Sequence, residues 1–152
     1  MFQRIEIRIF QSRDLRSILR IENESFGENA WPRELFVEYA RESPDLFLVA
    51  AAGNRIAGYS IACFARGVVE LASIAVLPRY RERGAATLLL KATIQKARRR
   101  KAQAIWLMVR PDNEAAVAFY RKSGFVRVST VSKYYEDGSP GWRMKLSLKR
   151  SA

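Results

Sequence analysis

The sequence predicts an α/β domain in which helices cover the faces of a mixed β-sheet. Three observations support this. Short apolar runs of strand length occur at both ends and in the middle of the chain, amphipathic helical segments separate them, and Gly or Pro marks most junctions. The order of elements is β-α-α-β-β-β-α-β-α-β-β, an α+β mixed sheet. The length of 152 residues predicts a single domain spanning residues 1–152.

The first three elements are one strand and two helices. Arg4–Phe10 alternates apolar and polar residues, as a strand with one buried face does. Ser12 or Asp14 can cap the following helix, and Pro32, which the first helical turn tolerates, begins the second. The residues expected to face the core are Ile5, Ile7, Ile9, Leu15, Ile18, Leu19, Leu35, Phe36 and Tyr39.

Three consecutive strands follow. Leu46–Ala52 and Arg55–Phe64 are rich in strand-forming residues, and Gly53-Asn54 between them predicts a hairpin turn. Val68–Leu77 is the next strand and stops at Pro78, after which we expect an arginine-rich loop.

The second half contains two helices and three strands. A helix is expected from about Gly84 to Arg100, with Leu88, Leu89 and Ala92 facing the core, and Ala104–Val109 reads as a short buried strand.

Asn113 opens the next helix, which should end before Gly124 in a left-handed conformation. Phe125–Tyr135 and Trp142–Leu148 are the last two strands, around a turn at Asp137-Gly138.

Composition excludes several kinds of chemistry. The chain has no histidine, so Ser-His-Asp, Cys-His and histidine–metal sites are excluded, and we expect no metal. Acid–base work must fall to Glu, Asp, Tyr, Lys, Cys or water. Cys63 is the single cysteine, which excludes an intramolecular disulfide and suits a reducing, cytoplasmic location.

The charge balance favours an anionic partner. The formal net charge is +12, and nucleic acid, an acidic protein surface and a polyphosphate cofactor are all possible partners. The densest basic run, Arg98–Lys101, lies at a predicted helix C-terminus, where cations complement the helix dipole. Basic residues are otherwise dispersed, so we expect no specific nucleic-acid binding. The longest apolar run, Leu46–Ala52, is far too short to cross a bilayer, so we expect no membrane association.

The segment from Leu71 to Ala86 has the features of a phosphate-binding loop. A strand runs into a turn that opens a helix, and Gly84 and Ala85 leave the backbone amides open to close approach. Free N–H groups at a helix N-terminus bind phosphate through hydrogen bonds and the helix dipole. Arg81 and Arg83 add positive charge. These features together predict binding of a diphosphate.

A more specific pattern lies within this loop. Arg81-x-x-Gly84-x-Ala86 resembles the pyrophosphate loop of the GNAT acetyltransferase superfamily, written Q/R-x-x-G-x-G/A. A downstream segment is similar to the RimI-like N-terminal acetyltransferases, through Trp106, Leu107, Met108, Val109, Arg110, Asn113, Ala115, Ala116, Ala118, Tyr120, Gly124 and Phe125.

The resemblance implies the GNAT fold, in which two central strands splay apart, here Val68–Leu77 and Ala104–Val109. It also implies acetyl-CoA as cofactor, with the pantetheine arm between those strands. The residues that it assigns to the cofactor are Ile74, Ala75, Val76, Arg81, Glu82, Arg83, Gly84, Ala85, Ala86, Asn113, Ala116 and Tyr120.

Acetyl transfer to an amine needs a proton acceptor and gains from a proton donor. The family's acid tyrosine corresponds to Tyr120. The RimI-like glutamate is replaced by Met108, which cannot accept a proton. Glu70 matches the position at which the histone acetyltransferases of the superfamily keep their base, so the resemblance implies Glu70 as the base. Glu24, expected in the loop after the first helix, is held in reserve, and water alone is the remaining acceptor. The resemblance assigns substrate binding to Glu24, Phe26, Tyr134 and Tyr135.

The resemblance implies an amine acceptor, and a protein or peptide N-terminus fits best, with a ribosomal protein or other basic or nascent chain as the candidate substrates. A small amine or a lysine side chain is the alternative, favoured by Met108 in place of the family glutamate, and the same substitution leaves open a CoA-binding regulator without turnover. A monomer or homodimer is expected.

Overall fold

The protein is described by a computed structural model that covers residues 4–148. In this part of the chain the strands are β1 Ile5–Ile9, β2 Phe47–Ala52, β3 Arg55–Ala65, β4 Val68–Val76, β5 Ala104–Val109, β6 Val126–Val131 and β7 Gly141–Ser147. The α-helices are α1 Leu15–Phe26, α2 Arg33–Glu42, α3 Pro78–Arg81, α4 Ala85–Arg99 and α5 Glu114–Lys122. This order confirms the predicted mixed α/β class. None of the helices in residues 4–148 is both long and apolar enough to cross a membrane.

The strands form a mixed sheet in the order β1-β2-β3-β4-β5-β7-β6. β1, β2 and β3 pair in antiparallel fashion, as do β5, β7 and β6. β4 pairs with β5 in parallel, with Val69 opposite Ile105 and Glu70 opposite Trp106. The splaying of these two strands beyond Glu70 stays a prediction.

The chain divides into two compact units. The first contains the described residues up to Cys63 together with Leu71–Lys96, and the second contains Phe64–Glu70 together with the described residues from Ala97 onward. The single-domain interpretation stays a prediction.

Two hydrophobic clusters form the core of the first unit. One contains Ile18 of α1 and Phe36 of α2, packed with Val49 and Tyr59 of the sheet. The other places Leu89 of α4 in a cluster with strand residues. Every residue of β2 is buried, as expected for a strand between two layers of helices. Each fully buried large side chain contributes about 1.5–3 kcal/mol.

The second unit shows an alternation of burial along β5 from Ile105 onward. Ile105, Leu107 and Val109 are buried, while Trp106 and Met108 are only half-buried. Successive side chains of a strand point to opposite faces, so one face of β5 belongs to the core and the other does not.

Two predictions around α4 need correction. Pro78 does not begin a loop but opens the short helix α3, because its fixed φ suits a first helical turn. Leu88 is 38% exposed, whereas Leu90 is buried. The buried stripe of α4 follows every fourth residue, through Ala85, Leu89, Thr93 and Ala97, and Leu88 lies outside it.

The C-terminal hairpin differs from the prediction in its first strand. β6 ends at Val131, and Tyr134 and Tyr135 lie in the loop that follows rather than in a strand. Lys133 adopts a φ of 51°, a left-handed conformation that interrupts extended backbone. Ile9 was also expected in the core and is 44% exposed.

Asp14 occupies the N-cap position of α1, yet its carboxylate does not cap the helix. It accepts hydrogen bonds from Arg8 at 2.8 and 2.9 Å and from the backbone N–H of Gln11 at 2.8 Å. Burial works to raise the pKa of Asp14, but these hydrogen bonds outweigh it and hold that pKa below its usual value. The carboxylate therefore ties β1 to the start of α1.

Candidate active site

The predicted phosphate loop lies in the first unit, between β4 and α4. Gly84 adopts a φ of 79°, which a residue with a side chain rarely tolerates, and its carbonyl accepts from the N–H of Leu88. The N–H groups that precede Leu88 in the first turn have no acceptor within the helix. Ala85 and Ala86 carry two of them, so the local geometry fits a phosphate group.

The arginines of this loop are held by their neighbours. Arg81 donates from Nε to the carbonyl oxygen of Val76 at 3.0 Å, which fixes its side chain against the end of β4. The guanidinium carbons of Arg79 and Arg83 lie 5.5 and 5.2 Å from the ring centre of Tyr80, a distance typical of cation–π contacts. Tyr80 is itself buried and anchors the loop. No sequence motif had marked Tyr80 for this role.

The acetyl-binding strand predicted at Ile74–Val76 is positioned by a glycine of β3. A Cβ atom at Gly58 would lie 2.6 Å from the carbonyl oxygen of Ala75 and 2.8 Å from a methyl group of Val76. Only glycine allows this approach. The N–H of Leu77 also donates to Ala57 at 2.9 Å, which fixes the end of β4.

A buried carboxylate joins three segments of the first unit. Glu22 is 1% exposed and accepts hydrogen bonds from the hydroxyl of Tyr59 and, at 2.8 Å, from the backbone N–H of Trp31. Tyr59 also bonds to Ser73 of β4. Burial is the largest cause that raises the pKa of Tyr59, and its bond to Glu22 adds to the effect. The only signal in the sequence was the place of Glu22 on the apolar face of α1.

The residues of the first unit that are predicted to bind the amine substrate lie at the end of α1. Glu24 was expected in a loop, but α1 continues to Phe26, so Glu24 lies in the last helical turn and is exposed. Phe26 is 38% exposed. Gly27 follows with a φ of 53° and ends the helix.

Three tyrosines lie together in the second unit. Tyr120 is 8% exposed, and burial followed by its interaction with Tyr135 raises the pKa of its phenol. The rings of Tyr134 and Tyr135 are perpendicular, with centres 4.8 Å apart. Arg110 stacks 4.1 Å from the ring centre of Tyr135 and forms an ion pair with Asp137 at 3.1 Å. Tyr134 and Tyr135 are in ring contact, and Tyr120 interacts electrostatically with Tyr135; these three residues are here called the tyrosine cluster.

Met108 lies beside this cluster. A Cβ atom added to Gly141 would be 2.8 Å from the terminal methyl of Met108 and 3.1 Å from the ring of Tyr134. Met108, at the position where the resemblance implies a glutamate, therefore places an apolar side chain next to Tyr134. Glu70 is half-buried on β4, opposite Trp106 in the register. Trp106 and Met108 are two residues apart and share one face of β5.

Asn113 acts as the N-cap of α5. Its side-chain oxygen accepts from the backbone N–H of Ala116 at 3.2 Å, which satisfies one free amide of the first turn. The predicted contacts of Asn113 and Ala116 with a cofactor stay predictions. Within residues 4–148 no group of three or more His, Cys, Asp or Glu side chains could hold a metal ion.

The fold and the loop define a class of protein, and a family comparison agrees with it. Residues 14–125 match the profile of the Acetyltransferase (GNAT) family. The chain belongs to this family, and it is an acetyl-CoA-dependent N-acetyltransferase.

Individual relatives point to one branch of the family. The chain is 33% identical over 148 residues to an N-alpha-acetyltransferase of Saccharolobus solfataricus, covering 89% of this chain and 88% of the relative. It is 32% identical over 124 residues to the N-alpha-acetyltransferase RimI of Mycobacterium tuberculosis, covering 78% and 77%. The crystal structure of Ard1 from Thermoplasma volcanium superposes with a TM-score of 0.91 at 28% identity, covering 96% of this chain and 99% of that one.

Proposed function

We propose that this N-acetyltransferase acts on the α-amine at the N-terminus of a protein or peptide. The observation that carries the proposal is Met108, an apolar side chain beside Tyr134 where the resemblance leads one to expect a carboxylate base. The names of the related N-alpha-acetyltransferases support the same acceptor class.

The acidity of the acceptor explains why Met108 matters. An amine attacks a thioester only in its neutral form, and without a strong base it must reach the site already neutral. An α-ammonium group has a pKa of about 7.8 and a lysine ammonium about 10.4. At neutral pH the neutral fraction of an α-amine therefore exceeds that of lysine roughly 300-fold. A site without a carboxylate at position 108 favours α-amines for this reason.

The first unit supplies the residues proposed to hold the cofactor, whose thioester is the acetyl donor. The N–H groups of Ala85 and Ala86 bind the diphosphate, and Gly84 keeps the approach open. Arg81 and Arg83 add charge, with Glu82 exposed between them. The backbone of Ile74–Val76 would stabilise negative charge that develops on the acetyl oxygen of the bound donor.

Tyr120 is the proposed proton donor. Its raised pKa keeps the phenol protonated throughout the working range of pH, so it can always donate a hydrogen bond to the departing sulfur. A thiol has a pKa of about 8.5, which makes the thiolate a stable leaving group and limits the help it needs. The amine attacks in its neutral form, and the proton that its nitrogen loses afterwards passes to Glu70 or to water, with Glu24 as the alternative proton acceptor.

Turnover with a matched set of acceptors tests this proposal. Free coenzyme A release is measured with a peptide that has a free α-amine and no lysine, with an N-blocked peptide that contains one lysine, and with small amines. We expect the α-amine peptide to lead by about 100-fold or more near pH 7, with a rate that rises with pH and levels off near pH 8.

The same assay contains its controls. Glu70→Gln should slow turnover most at low pH, and an unchanged profile would assign proton removal to Glu24 or water. Faster turnover of the lysine peptide or of a small amine would contradict the α-amine proposal. Cofactor binding without turnover of any acceptor would indicate a CoA-binding regulator.

A further inference from the structure

We infer that the preferred acceptors carry acidic side chains in the few positions that follow their α-amine. The inference deepens the proposed function and rests on it. Its basis is a surface of the second unit formed by Trp106, Arg143 and Lys145, here called the cationic face.

The strand register places these three side chains on one side of the sheet. Lys145 of β7 lies opposite Trp106 of β5, and Arg143 lies opposite Met108. Directly opposed residues share a face, with Cβ atoms about 5 Å apart. Met144, between the two cations, points to the other side and is fully buried. The cationic face is therefore the side of β5 and β7 that the core of this unit does not use.

Both cations rest on the indole of Trp106. The guanidinium carbon of Arg143 lies 4.4 Å from the ring centre, and Nζ of Lys145 lies 5.1 Å from it. Stacking holds a guanidinium by its flat face and leaves its N–H edges free for a carboxylate. Within residues 4–148, neither Arg143 nor Lys145 forms an ion pair.

The surroundings of the cationic face offer little negative charge. On β6 the residues opposite Lys145 and Arg143 are Val126 and Ser129, and Val126 is 60% exposed. In the described part of the chain, Glu70 is the one carboxylate in register with this face, and it lies on the far side of Trp106. The net charge of +12 adds a long-range attraction for anions. An acidic ligand would complement this surface, and a basic one would be repelled.

The cationic face begins beside the proposed acceptor position. Met108 contacts the space around Gly141 next to Tyr134, and Arg143 is the cross-strand neighbour of Met108. An extended chain advances about 3.3 Å per residue. An acceptor whose amine lies by Met108 would thus bring the side chains of its second to fourth residues within reach of Arg143 and Lys145. A ribosomal or other basic N-terminus fits this surface poorly.

Peptides that differ only in charge test the inference. Three synthetic peptides share the same first residue and the same neutral C-terminal segment, and carry glutamate, glutamine or arginine at positions two to four. We expect kcat/KM to be about fivefold higher for the acidic than for the neutral peptide and lowest for the arginine peptide. The differences should shrink as salt is raised from about 50 to 500 mM.

Charge reversal adds a gain-of-function readout. The double variant Arg143→Glu, Lys145→Glu should prefer the arginine peptide over the glutamate peptide. Arg121→Gln is the matched control, because Arg121 stacks on Trp142, which alternates with Arg143 and so lies on the opposite face. This variant should keep the wild-type order of peptides.

Each outcome decides the question. Equal rates for the three wild-type peptides, or the wild-type order in the double variant, would overturn the inference and leave α-amine acetylation intact. If no free α-amine peptide is turned over while lysine or small amines are, the proposed function itself is wrong. If single-stranded RNA binds the cationic face and the peptides show no charge preference, the face serves nucleic acid instead.

Discussion

The two units hold their predicted site residues in different ways. In the first unit the phosphate loop is contiguous, because the end of β4, the arginines and Gly84 follow one another along the chain. In the second unit Met108, Tyr120 and Tyr134 come from a strand, a helix and a loop. A backbone-based site depends on local conformation, whereas a side-chain cluster depends on packing between distant segments. The first can be read from a short motif, and the second needs the tertiary structure.

Removal of the Tyr120 hydroxyl should have the largest effect on catalysis and tests the second unit alone. Tyr120→Phe keeps the ring that contacts Phe125, with centres 5.6 Å apart, and so preserves the packing. We expect kcat to fall about 100-fold, within the range of general acid catalysis, because the leaving sulfur loses its donor. Acetyl-CoA affinity should change little.

Steady-state kinetics together with cofactor titration separate these effects. Tyr134→Phe provides a contrast, since it removes the hydroxyl of a half-exposed residue predicted to bind the acceptor and should change KM for the acceptor more than kcat. An unchanged kcat for Tyr120→Phe would remove this residue from the acid role and would leave it as a core aromatic.

Glu22 provides a test of a side-chain cluster within the first unit. Glu22→Gln must turn its NH2 group toward one of two donors, the hydroxyl of Tyr59 or the N–H of Trp31, and one buried hydrogen bond is lost. We expect the free energy of unfolding to fall by about 1–3 kcal/mol. Glu24→Gln, two residues along the same helix and exposed, should change it by less than about 0.5 kcal/mol.

Denaturant unfolding of both variants measures the difference. A stable Glu22→Gln protein would mean that the buried network contributes little, and the contrast between local and assembled sites would weaken.

Glycine substitutions have the smallest expected effects, on folding stability and on cofactor affinity. They compare the two units most directly, because one substituted glycine lies in each unit. Gly84 and Gly138 adopt φ values of 79° and 86°, and a Cβ atom would meet no other atom within 4 Å at either position. Alanine at either site should cost about 1 kcal/mol of folding stability, because of the left-handed backbone. Only Gly84→Ala should also weaken acetyl-CoA binding, by about tenfold, since its methyl group enters the phosphate approach.

Ligand-induced stabilisation measures this difference in acetyl-CoA affinity between the Gly84→Ala and Gly138→Ala variants. Acetyl-CoA at a hundredfold over its dissociation constant should stabilise the wild type by about 2.7 kcal/mol, and Gly138→Ala should show the same gain. Equal cofactor affinity in the two variants would contradict the assignment of the Gly84 turn to the diphosphate.

Errors in the predicted fold arose where tertiary packing overrides local pattern. Leu88 is apolar and helical, yet the buried stripe of α4 passes through Leu89 instead. Tyr134 and Tyr135 have strand-forming side chains, but the left-handed Lys133 ends the extended segment before them. Asp14 is a residue type that favours helix N-caps, but its carboxylate forms an ion pair with Arg8 instead.

The sequence by itself determined the class of fold and the order of its main elements, and it predicted the phosphate loop, because each depends on interactions between residues near one another in the chain. Only the tertiary structure revealed the burial of Glu22, the approach of Gly58 to β4 and the grouping of Tyr120 with Tyr135. The stacking of Arg143 and Lys145 on Trp106 was likewise visible only in the tertiary structure. These features join positions far apart in sequence, and their energies arise from burial and side-chain contacts that no local pattern specifies.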